Sequence, residues 1–229
     1  MNTNFTKEND QQEVILFLHG WGCNKEIFAP ITKLMYHSTN IRLDLWGFGE
    51  SQAPMHDWDA IDYARQLKLF LDKCGIETCH LVAHSFGGRV AIAFAYMYPK
   101  TVKKMVLFAS AGLKRFSLSR SIKQAVHKIA KVFNPTRVAG SLDFLATPDH
   151  LKGIFIKLVN QDLSKCAKCI KAPTLLVYGK KDTATPVWMG KRFSRLIKGS
   201  KLKITCGNHF EFAQKPQNTA DVIEDFIFD

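Results

Sequence analysis

No apolar run in this chain approaches the ~20 residues that a membrane-spanning helix needs. No transmembrane segment is therefore expected. There is no internal repeat and no low-complexity tract. Charged residues at 23% and apolar residues at 46% match ordinary globular usage, which excludes a disordered or coiled-coil chain. The opening stretch MNTNFTKENDQQE has no basic region followed by an apolar one, so no secretory signal is expected. The six cysteines (Cys23, Cys74, Cys79, Cys166, Cys169 and Cys206) are scattered through 229 residues. They do not form a disulfide framework and read as reduced thiols in a cytoplasm. Cys166 and Cys169 make a lone C-x-x-C. A structural zinc site wants four ligands, so these two read as free surface or cap cysteines.

Acidic residues are missing from one region. Lys114, Arg115, Arg120, Lys123, Lys128, Lys131 and Arg137 occur without an intervening Asp or Glu. Between Lys100 and Ala172 fifteen basic residues face three acids, a surplus of twelve, which is the net charge of the whole chain. One basic segment thus interrupts a neutral protein. That points to an acidic partner or substrate, to an anionic membrane surface, or to a merely solvated helix face. Nucleic acid is disfavoured, because the segment lacks an interleaved aromatic platform and the chain has no nucleic-acid motif.

What is present is an alternation. Short apolar runs at Val14–Leu18, Asn40–Leu45, Cys79–Ala83, Met105–Ala109, Thr174–Tyr178 and Lys201–Thr205 predict strands. Lys25–Tyr36, Trp58–Lys73, Phe86–Tyr98, Val187–Leu196 and Gln217–Phe228 predict helices between them. Strands separated by helices imply an α/β domain with a mostly parallel sheet of six or seven strands covered on both faces. Gly112–Lys171 breaks the pattern. It predicts a basic amphipathic helix over Ser117–Phe133 and a second helix over His150–Val159. The expected organisation is a core of residues 1–112 and 172–229 with a helical cap of residues 113–171. Ligands of open parallel sheets sit beyond the carboxyl ends of the strands, where such an insertion would act as a lid.

Four turns at those ends carry chemistry. Leu81-Val82-Ala83-His84-Ser85-Phe86-Gly87-Gly88 runs from an apolar strand through a serine into a long helix. Small residues two positions either side of Ser85 permit a sharp reversal that exposes its hydroxyl. The helix N-terminus behind it favours negative charge. His84 is expected to point away from the site. His19-Gly20-Trp21-Gly22 can aim the Trp21 N–H into the same crevice, where it would form an oxyanion hole with the N–H of Phe86. Asp44-Leu45-Trp46-Gly47-Phe48-Gly49-Glu50-Ser51 reads as scaffolding, with Asp44 bonding loop amides. Asp182, in the loop Tyr178–Pro186, and His209, in Cys206–Phe210, each follow a strand, so both can meet Ser85. Cys23 lies near this site without a nucleophile's surroundings. His37, His56 and His80 lie on surface-like stretches and receive no role.

HGWG, DLWGFGES, AHSFGG, GKKDTATP and GNHFEFAQKP, in this order from Val14 to the C-terminus, resemble the α/β-hydrolases. The resemblance implies Ser85 as nucleophile, His209 as general base and Asp182 as its orienter. It also implies the amides of Trp21 and Phe86 as oxyanion donors. Ala83 stands where the family's elbow has glycine. Only thirteen residues precede Val14, so the sheet is expected to have a reduced first edge.

HGWG with D-L-x-G-F-G-x-S is similar to the pimeloyl-[acyl-carrier protein] methyl ester esterases of biotin synthesis. That similarity implies docking of an acyl carrier protein on basic cap residues, for which Lys114, Arg115, Arg120 and Lys123 are candidates. The expectation is a cytoplasmic, monomeric serine carboxylesterase that needs neither a metal nor an organic cofactor. A thioesterase, a lipase-like enzyme, a C–C bond hydrolase, an acyltransferase and a non-catalytic membrane- or partner-binding module remain as alternatives.

Overall fold

A computed structural model describes residues 1–114 and 142–229. Seven strands form one sheet: β1 (Phe5–Glu8), β2 (Val14–Leu18), β3 (Thr39–Leu43), β4 (Cys79–His84), β5 (Val102–Phe108), β6 (Thr174–Gly179) and β7 (Lys201–Thr205). Their order is β1-β3-β2-β4-β5-β6-β7. Only β1 runs antiparallel to its neighbour, β3; the other pairs are parallel. Sequence analysis does not predict β1, because its polar FTKE reads as surface. It is the reduced edge. Phe5 packs on Phe70 at 5.1 Å between ring centroids. Arg42, buried on β3, bonds Glu8 at 2.9 Å and Glu26 at 2.7 Å.

Alternate residues of the central strands face opposite sides, as a pleat requires. Leu16, Leu18, Leu81, Ala83, Met105 and Leu107 share one core with helices α1 (Ala60–Lys73) and α2 (Phe86–Met97). Ile15, Phe17, Val82, Val106 and Phe108 share the other with the last helix of the chain, Pro216–Phe228. Burial of both faces accounts for the uninterrupted apolar runs of the sequence. Asp59 and Asp62 form a capping box at the start of α1.

The predicted helix over Lys25–Tyr36 is shorter in the structure, a 3-10 turn Lys25–Phe28 followed by one α turn, Ala29–Thr32. Its last carbonyls are diverted. The Asn40 side-chain amide donates to the carbonyls of Thr32 and Met35, and Asn9 donates to that of Met35.

Between β5 and β6 the described residues include α3 (Asp149–Asn160) and a short helix Ser164–Lys168. Leu151, Ile154 and Leu158, one stripe at helical spacing, are buried against the core. Gln161 ties the end of α3 to α1, accepting from the Ala60 amide at 3.0 Å and donating to Asp59 at 3.2 Å. The predicted helix Ser117–Phe133 lies outside the described residues. After β6 comes α4 (Val187–Leu196), and the last helix, Pro216–Phe228, is α5. Among the described residues, no helix is long and apolar enough to cross a membrane.

Candidate active site

The site is assembled where β2, β4, β6 and β7 end. At the close of β4 the chain reverses through Ser85, whose φ of 49° and ψ of −105° lie in a region costly for any residue but glycine. Neighbours hold that conformation in place. The Ser85 amide donates to the Phe108 carbonyl at 3.0 Å, and the Ser85 carbonyl accepts from Ala111 at 3.1 Å. The elbow also needs bare backbone at Gly87, where an added Cβ would lie 2.2 Å from the carbonyl oxygen of Leu18. The Ser85 side chain does not cap α2, so its hydroxyl is left for the cavity.

Asp182, in the loop after β6, is 4% exposed. Its Oδ1 accepts from the amides of Ala184 and Thr185, each at 2.9 Å, and its Oδ2 accepts from the Thr185 hydroxyl at 2.7 Å. The Nδ1–H of His209, in the loop after β7, donates to that same Oδ2 at 2.7 Å. Burial pushes the Asp182 carboxyl up, but the bonds from His209 and Thr185 outweigh it and hold the acid below its ordinary range. With Nδ1 as the donor in that bond, a neutral His209 ring carries its free lone pair on Nε2.

Ser85 and His209 line one cavity of ≈ 370 Å³ with Trp21, Phe86, Arg89, Phe155, Leu158, Val159 and Met189 among its walls. Among the described residues the amides of Trp21 and Phe86 make no backbone hydrogen bond, so both could donate to an oxyanion. The Trp21 indole fixes its turn. It packs edge-to-face on Phe48, Phe86 and Phe155 at 4.8, 5.3 and 5.2 Å, and its Nε1–H donates to Thr147 at 3.0 Å.

Asp44 behaves as its motif implies, accepting from the amides of Lys25 at 2.7 Å and Glu50 at 3.1 Å. His19 is buried, and burial pushes its pKa down to about 4 despite a bond to the Gly20 carbonyl. As a neutral ring it donates from Nδ1 to that carbonyl at 2.7 Å, and its Nε2 accepts from the Leu45 amide at 3.0 Å. The HGWG turn is thereby stitched to the loop after β3.

Two histidines differ from expectation. His84 does not point away from the site. It is buried under the His209 loop, with ring centroids 4.6 Å from His209 and 4.5 Å from Phe212. Its Nε2–H donates to the His209 carbonyl at 3.0 Å. Burial, reinforced by repulsion from His209, pushes its pKa down to about 3, so it is neutral at pH 7. His80 is not on the surface either; it is buried and bonded to Glu13 at 2.9 Å. Sequence analysis also gives no role to Thr185 or Arg89. Thr185 had a signal, since an Asp that bonds the backbone amides following it brings a Thr three residues on within reach of its carboxylate. Arg89 had none, being one more polar residue in a helix pattern.

Lys114 is described: its amide donates to Asp162 at 2.9 Å and its carbonyl accepts from Arg192 at 2.8 Å. Arg115, Arg120 and Lys123 lie outside the described residues. The six cysteines are free thiols, and burial raises the pKa of Cys23, which keeps it a weak nucleophile. Among the described residues, no three His, Cys, Asp or Glu side chains are grouped to hold a metal ion.

Residues 13–134 match the profile of the alpha/beta hydrolase fold family. The chain is 29% identical over 201 residues to Lipase 1 of Psychrobacter immobilis, covering 74% of this chain and 62% of the lipase. It is 28% identical over 238 residues to the 2-hydroxy-6-oxononadienedioate/2-hydroxy-6-oxononatrienedioate hydrolase of Klebsiella pneumoniae, covering 87% of this chain and 82% of that one. The enol-lactonase of Burkholderia xenovorans superposes with a TM-score of 0.80 at 18% identity, over 99% of this chain and 96% of the lactonase. At that identity the likeness is one of fold.

Proposed function

The chain belongs to the alpha/beta hydrolase fold family, and we propose that it is a serine hydrolase that cleaves a carboxylic ester, with residues 113–171 as a cap over the site. The observation that carries this reading is the 2.7 Å bond from His209 to a buried Asp182, beside a cavity shared with a strained Ser85. Each part has a chemical role. Ser85 Oγ attacks the ester carbonyl carbon while its proton passes to Nε2 of His209. Asp182 holds the tautomer that makes Nε2 the acceptor and stabilises the imidazolium. The negative charge on the tetrahedral oxygen falls on the amides of Trp21 and Phe86, each worth about 3 kcal/mol of barrier. His209 returns the proton to the leaving alkoxide and the C–O bond breaks. Water, activated by the same imidazole, then releases the acid from the acyl-serine.

A fluorophosphonate probe tests the assignment. It should label folded protein at Ser85, and Ser85→Ala should abolish both labelling and turnover of p-nitrophenyl esters. Turnover retained by Ser85→Ala would reject it; absent labelling of folded protein would favour a binding module that merely keeps the fold.

Similarity to the Klebsiella hydrolase favours a second reading, C–C bond hydrolysis of a ring-cleavage product with the same three side chains. A narrower form of the ester reading, a carrier-bound pimeloyl methyl ester, is supported by the basic surplus between Lys100 and Ala172. Neutralising Lys114, Arg115, Arg120 and Lys123 should then slow turnover of a carrier-bound ester and spare a free one.

A further inference from the structure

Among the described residues, Arg89 is a charge without a counter-charge in contact. It lies one turn along α2 from Ser85, about 6 Å further down the axis, and is 9% exposed. Among the described residues its guanidinium makes one hydrogen bond, from Nη1 to the Gln161 carbonyl at 3.1 Å. Among the described residues no carboxylate reaches ion-pair distance of it. Asp162, the acid whose charge acts on Arg89, is bonded elsewhere: Oδ2 accepts from the Lys114 amide and Oδ1 from the Ser164 amide, each at 2.9 Å, and the Arg192 charge acts on it as well. Burial lowers the Arg89 pKa to about 10, so the group is still protonated at neutral pH. A nearly buried guanidinium is costly unless an anion completes it. Its planar fork is shaped for a carboxylate. Arg89 also lines the cavity that holds Ser85, with Phe155, Leu158, Val159 and Met189 supplying apolar wall.

We propose that Arg89 is the specificity residue of this cavity, and that the substrate is an anionic ester whose second, free carboxylate pairs with it. A half-ester of a short aliphatic dicarboxylic acid fits: its scissile carbonyl meets Ser85, its methylenes lie along the apolar wall, and its free end meets the guanidinium. The inference rests on the serine hydrolase reading for the reacting end, but the carboxylate site can be tested without turnover.

The experiment compares p-nitrophenyl hydrogen glutarate with neutral p-nitrophenyl pentanoate. Wild type should favour the half-ester about ten- to a hundredfold in kcat/KM, mainly through KM, the size expected of a hydrogen-bonded charge. Arg89→Met and Arg89→Lys should each collapse that ratio toward one; the lysine keeps charge and stem, so it also reports if the methionine variant misfolds. Calorimetry of the uncleavable glutarate mono-amide on Ser85→Ala should show binding that Arg89→Lys in the same background loses. A wild-type preference for the neutral ester, a ratio unmoved in both variants, or mono-amide binding indifferent to Arg89 would overturn the proposal. Mono-amide binding that depends on Arg89, without turnover of either ester, would uphold the carboxylate site and sink the serine hydrolase reading.

Discussion

The Nε2–H of His84 reaches the main-chain carbonyl of His209 at 3.0 Å, so the residue just before the proposed nucleophile holds the loop that presents the proposed base. His84 touches no reacting atom and acts by positioning. His84→Phe should keep the ring packing on Phe212 and lose the donor, lowering kcat about tenfold with KM little changed. His84→Gln offers an amide N–H at similar reach and should recover most of the rate. Equal losses in both variants would mean that the ring's bulk matters and its hydrogen bond does not.

The same buried rings set an acid limit on stability. His19 and His84 are held near pKa 4 and 3 in the folded chain, against 6.5 in the open one. Between those values the unfolded chain binds protons that the folded chain refuses, so stability rises with pH. The contribution is complete above pH 6.5 and drains away as the pH falls toward 4 and 3. Urea melts at pH 7 and pH 5 should differ by about 2 kcal/mol per histidine. His84→Gln should flatten that dependence; an unchanged slope would show that His84 is not neutral in the fold.

The carboxylate and hydroxyl behind His209 should separate in size of effect. Asp182→Asn can set an amide donor where Nδ1–H of His209 faces an acceptor, and kcat should fall about 10⁴-fold while KM holds. Thr185→Val removes one of the bonds to Asp182 and keeps the charge, so about a tenfold loss is expected. Steady-state kinetics on one p-nitrophenyl ester decides; a larger loss from Thr185→Val than from Asp182→Asn would contradict the arrangement.

Gly87→Ala tests the packing beneath the elbow. The new methyl would sit 2.2 Å from the Leu18 carbonyl oxygen, where backbone on both sides cannot yield. A loss of about 3 kcal/mol or failure to fold is expected, read as a fall in Tm. A wild-type Tm would show that the strand and helix are less tightly apposed than described.

Much of this was legible in the sequence because chemistry and chain reversal coincide. Val14–Leu18 and Cys79–Ala83 are apolar because both sheet faces are covered, and Ser85, Asp182 and His209 announce themselves by following strands. What stayed hidden depends on approach in three dimensions. Phe5–Glu8 is a strand only because β3 offers it an edge. His84 reads as an elbow neighbour because nothing local reveals that the His209 carbonyl, 125 residues away in sequence, comes down upon it. Arg89 is ordinary in sequence and unusual only in being buried without a contacting acid among the described residues.

Trp21 belongs at once to the turn whose amide is proposed as an oxyanion donor and, through Phe155 and Thr147, to the segment after β5 that includes α3. A guest too bulky for the chamber would have to lift α3, and the indole would carry that displacement into the anion cradle. Selection by size would then register in the speed of bond making as well as in the strength of capture.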